Sequence, residues 1–255
     1  MRKPFFACED SKVIQQKKMC FIRPLKTEDM IEKVQVTDTS VLKSIEDGLN
    51  KSTLGNSLAS YVPATIGEIW ITYLDSNKNI VLIPWQNWDV SRNNAIGVAI
   101  MSSGKRLIIS PHETFLAWGA VAGTGGAVVT ANKTMADADY AGKSNTSKII
   151  ASDAFKNDGP DYAPGYCATY SNGGLPAGSW WLPSLGELGL IYEKYDAINA
   201  AMARIKGSEQ LNKATYWSST EVSVTDAWVT SLTSSLRWGS HKYGVNSRVR
   251  PVTSF

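Results

Sequence analysis

The sequence predicts an α+β protein in which antiparallel strand pairs are flanked by helices and joined by long loops. Three observations carry this expectation. Two pairs of apolar runs separated by tight turns lie between residues 66 and 110. Ser184-Leu-Gly-Glu187 is a helix-start signal opening an apolar stripe at helical spacing. After Thr215, Trp217, Trp228 and Trp238 stand ten or eleven residues apart among Ser, Thr and Gly, the rhythm of short strands and turns.

With 255 residues, 43% of them apolar, the chain can bury a sizeable core. Nine Trp residues are many, and five of them lie between Trp180 and Trp238. The formal net charge is +3, and residues 1–33 (eight Lys/Arg against five Asp/Glu) account for it. That excess is too dilute to neutralise a row of phosphates, so no nucleic-acid partner is expected. Cys8, Cys20 and Cys167 are too few for a disulfide framework. No window is apolar enough for membrane insertion, and no signal peptide is legible at the start.

The order of elements follows from local chemistry. Residues 1–65 read as an attachment or oligomerisation region, with a short amphipathic helix marked by Val41, Leu42, Ile45 and Leu49. Residues 66–255 read as the ligand-binding domain. Glu68–Leu74 alternates, Asp75–Asn79 turns, and Ile80–Trp85 returns as a hairpin. The turn has a D-x-N-x-N look, but the Gly and the distal Glu of a calcium loop are missing. Ile96–Met101 and Arg106–Ser110 form a second pair across a Ser-Ser-Gly turn.

Residues 111–179 are loop-rich, with short helices expected from Gly142 and from Ala163. The glycines between Gly119 and Gly126 lack the Gly-Lys-Ser/Thr ending of a phosphate loop. From Ser184 a helix is expected through Leu188, Ile191, Tyr195, Ile198 and Met202, stopping near Gly207. In the strands that follow, Trp228, Thr230 and Leu232 are expected to face in and Val229 and Ser231 to face out. Leu236, Val249 and Val252 are further core candidates.

The chemistry of catalysis is thin. His112 and His241 are the only histidines, there is no C-x-x-C, and His112-Glu113 lacks the second His of a zinc-protease helix. There is no G-x-S-x-G elbow. A Cys167–His112 or Cys167–His241 couple is the remaining nucleophile–base candidate. Glu187 reads as a helix cap and Glu221 as the tie of a turn. No enzyme activity, no metal and no cofactor are expected.

Several motifs together resemble one family: Trp181-Leu-Pro-Ser-x-x-Glu187, Ile198-Asn-Ala-Ala, Tyr216-Trp-Ser-Ser-Thr-Glu221, Ala227-Trp228, Lys242 and Arg248-Val-Arg-Pro-Val. The set is similar to the C-terminal C-type-lectin-like domain of the formylglycine-generating-enzyme type. Within that type it is most similar to the variable proteins of diversity-generating retroelements, related to the phage major tropism determinant. The resemblance is specific from about 180 to 255 and thinner back to about 66; residues 1–65 match no family.

That resemblance implies small twisted antiparallel sheets with flanking helices and long loops. It also implies a variable region at about 216–250. The matching variable positions are Val222, Ser223, Thr225, Asp226, Val229, Ser231, Ser234, Ser235, Arg237, Gly239, Ser240, His241, Tyr243, Gly244 and Asn246. Trp181, Glu187, Trp217, Glu221, Trp228, Trp238, Arg248 and Arg250, with Lys242, are the scaffold. Changing the adenines of an AAC codon reaches every residue type in the first set, and never Trp, Glu, Lys, Gln or Met. The cysteine pair and the three-His iron site of the family's enzymes have no counterpart here, nor does a calcium-dependent sugar motif.

The implied function is binding of a cell-surface protein or glycan receptor, on a virion such as a phage tail or on a cell surface. Residues 1–65 would oligomerise the chain or attach it to a particle. The alternative is a fixed-ligand adhesin or a structural module of a bacterial surface assembly.

Overall fold

The computed structural model describes residues 69–102 and 104–255. The helix expected at 39–49, Cys8, Cys20 and the role given to residues 1–65 lie outside these residues. The described residues belong to one compact unit with two five-stranded sheets.

The first sheet has the order β10-β4-β3-β1-β2. β1 (Ile69–Leu74) and β2 (Ile80–Pro84) are the expected hairpin. Asp75 shapes its turn: Oδ1 accepts from Asn77 N at 2.8 Å and Asn79 N at 2.9 Å. The D-x-N-x-N segment thus folds its carboxylate onto its own backbone. β3 (Ala95–Ser102) and β4 (Lys105–Ile109) are the second hairpin, and β10 (Val252–Thr253) pairs with β4 as an edge.

The second sheet has the order β5-β9-β6-β7-β8. Its strands are β5 (Thr114–Leu116), β6 (Thr215–Glu221), β7 (Asp226–Ser231), β8 (Arg237–His241) and β9 (Ser247–Val249). All pairings are antiparallel except one between β6 and β9, at Tyr216 and Arg248. The helices are α1 (Lys133–Asp137), α2 (Gly142–Ala151), α3 (Ala163–Thr169), α4 (Leu185–Glu193) and α5 (Tyr195–Met202). The protein is therefore α+β, with mainly antiparallel sheets and short helices.

α4 starts where the capping box predicts: Glu187 N donates to Ser184 Oγ, and Ser184 N to Glu187 Oε2 at 2.9 Å. The single helix expected from Ser184 to Met202 is two. The chain departs from helical geometry at Lys194 (φ −109°, ψ 15°) and restarts. The break lets each half meet a different layer: α4 packs on β6 and β7, α5 on β1 and β3.

The larger core lies between the first sheet and these helices, where Ile71, Val98, Ile100 and Ile109 meet Leu188, Ile191, Ile198 and Met202. A second core joins Trp118, Phe155, Trp217, Val229 and Val249. A third cluster joins Trp228, Leu185 and Ala136.

Two expectations fail here, each for its own reason. Val229, expected to face out, is fully buried, and Leu236, expected in the core, is 64% exposed. β7 lies between β6 and β8 in a sheet covered on both faces, by the Trp217 cluster on one side and the Trp228 cluster on the other. Inside such a strand alternation no longer separates core from surface. β8 is an edge strand, and the turn before it, with Ser235 at φ 56°, carries Leu236 into solvent.

Candidate functional site

The last strands and turns form an exposed ridge on a rigid base. Its free edge is β8, paired on one side only, with β7. Along β8 and the turn after it, Trp238 is 42% exposed, Tyr243 56% and Val245 59%. The rings of His241 and Tyr243 are stacked, with centroids 5.5 Å apart and an interplanar angle of 12°. His241 Nδ1 lies 3.1 Å from Asp226 Oδ1, across the β7–β8 pair. Asp226 Oδ2 is in turn held by Thr225 Oγ1 at 2.5 Å and Ser223 Oγ at 3.2 Å. This turn is tied within itself, so little ordering would remain to be lost on binding.

The base is electrostatic. Lys242 and Glu221 are fully buried, with Nζ 2.5 Å from Oε2. Lys242 Nζ also donates to Gly123 O at 2.6 Å and Ser223 O at 3.0 Å. Glu221 Oε1 accepts from Gly125 N at 2.9 Å. Burial pulls the Lys242 ammonium below its usual range, while Glu221 works against that shift. The glycine-rich loop from Gly119 to Gly126 is thus a strap wrapped on this ion pair. It is also bonded to β6 through Thr130 N to Glu221 O and Glu221 N to Val128 O.

Arg237 is anchored on the other face of the sheet. It bonds Asp137 at the end of α1 at 2.5 Å. Its guanidinium lies over Gly189 of α4, where a Cβ would stand 2.7 Å from a terminal nitrogen. A glycine in a helix interior costs about 1 kcal/mol against Ala, and here the missing side chain is what admits Arg237.

Below this, Glu113 gathers the end of the chain. It accepts from Asn212 Nδ2, from Tyr216 Oη at 2.6 Å, from Arg248 at 2.8 Å and from Arg250 at 2.5 Å. Burial, and then the neighbouring Glu113, push the Tyr216 phenol well above its usual range.

Among the positions expected to vary, Ser234, Ser235, Gly239, His241, Tyr243 and Asn246 are exposed. Val222, Ser223, Thr225, Asp226, Ser231, Arg237, Ser240 and Gly244 are half-buried. Val229 is a correction: as the buried centre of β7 it has no surface to offer. Trp238 is a correction to the scaffold set, since it projects from the edge strand instead of packing beneath it. Trp181, Glu187, Trp217, Glu221, Trp228 and Arg250 are buried, and Arg248 is half-buried. Val224, at 55% exposure, and Val245 stand beside the expected surface positions without belonging to that set.

The nucleophile candidate is sealed in the core, and each histidine is engaged elsewhere. Cys167 is fully buried and desolvation pushes its thiol up, away from the thiolate. His112 Nδ1 is 2.7 Å from Tyr170 Oη, and His241 belongs to the β8 edge.

Glu187 has one further property. Its Oε2 accepts from Trp181 Nε1 at 3.2 Å as well as from Ser184 N. Desolvation nevertheless outweighs these bonds and raises its carboxyl from 4.5 to about 7. The folded state therefore keeps this proton where the unfolded chain has lost it, so the group's stabilisation is full at low pH and fades as pH rises through that window. Against Glu187→Gln, which keeps the cap, the wild type is expected to lose roughly 3 kcal/mol between about pH 4 and pH 8. Parallel denaturation curves at both pH values measure it, and equal slopes for the two proteins would refute it.

No family model matches the chain, and no curated protein does. Among the described residues no helix is long and apolar enough to cross a membrane. Among solved structures the chain is similar to a fimbrial protein from Bacteroides ovatus, at a TM-score of 0.54 and 15% identity. The match covers 72% of this chain but 48% of that one, so this chain spans about half the length of its structural neighbour. At that identity, what the two share is the fold.

Proposed function

We propose that this chain is a ligand-binding protein whose β7–β8 edge and β8–β9 turn form a receptor-contacting face on a rigid C-type-lectin-like scaffold, acting at a virion or cell surface. The observation that carries this reading is the pairing of exposed Trp238, His241 and Tyr243 with the buried Glu221–Lys242 pair directly behind them. Aromatic anchors with few rotatable bonds, set among Ser and Gly on a preordered base, are the composition of a binding loop set. The reading includes diversification of this face by a retroelement, supported by the motif resemblance and by residue types reachable from AAC codons. Catalysis has no part in it.

The fixed-ligand alternative, an adhesin or structural module of a surface assembly, is favoured by one observation: the fimbrial protein of similar fold.

Sequencing the locus across natural isolates separates the two. Diversification predicts an imperfect copy of the codons for about Tyr216 to Arg250 beside a reverse transcriptase gene, with differences at the exposed positions and none at Val229. A locus with no copy and no such variation leaves the fixed-ligand reading. In the protein, substitutions at Ser234, Ser235, Tyr243 and Asn246 are expected to shift unfolding by at most about 0.5 kcal/mol each. Val229→Ser is expected to cost several times more. Chemical denaturation of this small set reads both, and equal sensitivity would count against a tolerant face.

A further inference from the structure

Away from the β7–β8 face, an open cleft of about 510 Å³ lies between the β3–β4 hairpin and the first turn of α2. Its size is that of a small-molecule site. Lys105, Arg106 and Lys143 line it, with Leu107, Tyr140 and Trp181 as apolar wall.

Each cation is set beside an aromatic ring. Lys105 Nζ is 4.9 Å from the Tyr140 centroid, Arg106 Cζ 5.7 Å from that of Phe255, and Lys143 Nζ 5.7 Å from Trp181. Among the described residues none of these three cations makes an ion pair, whereas Lys133, Lys156, Arg237, Lys242, Arg248 and Arg250 all do. Three cations without ion-pair partners around one hollow outnumber the single carboxylate in its wall and leave a positive field.

The lone carboxylate in the wall, Glu187, is engaged by Ser184 N and Trp181 Nε1, and burial raises its carboxyl to about 7. Ala141, Lys143 and Ser144 of the first turn of α2 line the cleft, and the buried Asp139 accepts from Ala141 N at 2.9 Å and Asn145 Nδ2 at 2.7 Å, so the three cations and not this helix end supply the field. Close packing fixes the floor, since a Cβ on Gly142 would collide with Glu187 Oε2 and stand 2.8 Å from Trp181 Cδ1.

A ligand suited to this hollow carries an anionic group and a ring with an apolar face. We propose that the cleft binds a short acidic saccharide, with its carboxylate or sulfate held by Lys105, Arg106 and Lys143 and its ring against Tyr140, which is 37% exposed. The site is separate from the β8 edge and does not depend on the function assigned to that edge.

Titration calorimetry on the full chain tests this with four probes: a glucuronate-containing disaccharide, a sulfated disaccharide, a neutral disaccharide and sodium sulfate. At least one acidic disaccharide is expected to bind roughly tenfold or more tighter than the neutral one, and more weakly as salt rises. The two acidic probes distinguish carboxylate from sulfate recognition. Lys105→Ala with Lys143→Ala is expected to weaken binding at least roughly tenfold with unchanged thermal stability, since both side chains are exposed. Trp238→Ser is expected to leave it unaltered. No binding of either acidic disaccharide at millimolar concentration, equal binding of the neutral disaccharide or of sulfate alone, or unchanged affinity in the double variant would each overturn the proposal.

Discussion

Lys242→Met is expected to destabilise the domain by about 3–5 kcal/mol, because it leaves the fully buried Glu221 carboxylate without a counter-charge. The thermal midpoint should fall by roughly 10 °C, as expected for a domain of this size. Glu221→Gln should cost a comparable amount from the other side. Glu221→Leu with Lys242→Met removes both charges together and should recover part of the loss. Recovery should stop short of wild type, because Gly125 N, Gly123 O and Ser223 O would lose their partners. Denaturant titration of the three variants forms the cycle. A double variant no more stable than either single one would show that the ammonium's bonds to the strap, not its pairing with Glu221, hold this region.

Glu113→Ala is the second large effect. Arg250 is 1% exposed and its Nη2 ends 2.5 Å from Glu113, so the substitution leaves a buried guanidinium unpaired and frees Arg248, Tyr216 and Asn212 as well. A loss of about 3–5 kcal/mol is expected, with soluble yield falling in step. Arg248→Ala, whose side chain is 33% exposed, should cost no more than about 1 kcal/mol. Urea midpoints for the two variants check the order. If Arg248→Ala proved as damaging as Glu113→Ala, the network would be acting through the half-exposed arm instead of Arg250.

The sequence revealed local features well and distant ones poorly. The hairpins of the first sheet and the Ser184–Glu187 cap were legible because each depends on residues within a few positions of one another. The break at Lys194 was not, since the stripe through Leu188, Ile191, Tyr195 and Ile198 is compatible with one helix or with two halves seeking different sheets. Val229 misled because alternation presumes one wet face. The ties that build the site were invisible: Glu113 meets Arg250 from 137 residues away, and Arg237 meets Asp137 from 100. No periodicity encodes such partnerships. The basic cleft was hidden for the same reason, since Lys105 and Lys143 become neighbours only after the β3–β4 hairpin meets α2. Glu221 and Lys242 are fully buried inside a polar stretch whose composition looks like surface, so their burial follows from their mutual pairing and not from hydropathy.

The C-terminal segment has a consequence for how the molecule is made. Val252 and Thr253 complete the edge of a sheet whose first strand begins at Ile69, and Val252 also bridges to Trp181. Such long sequence separation makes folding slow to commit, because chain closure must be completed before its contacts can reward it. It also makes the product self-checking. A frameshift or premature stop between residues 216 and 246 removes β9, Arg250 and β10 together, so both sheets lose an element and Glu113 loses both its arginines. A chain cut short there would be left with unpaired strands and a buried, partnerless carboxylate, open to proteolysis.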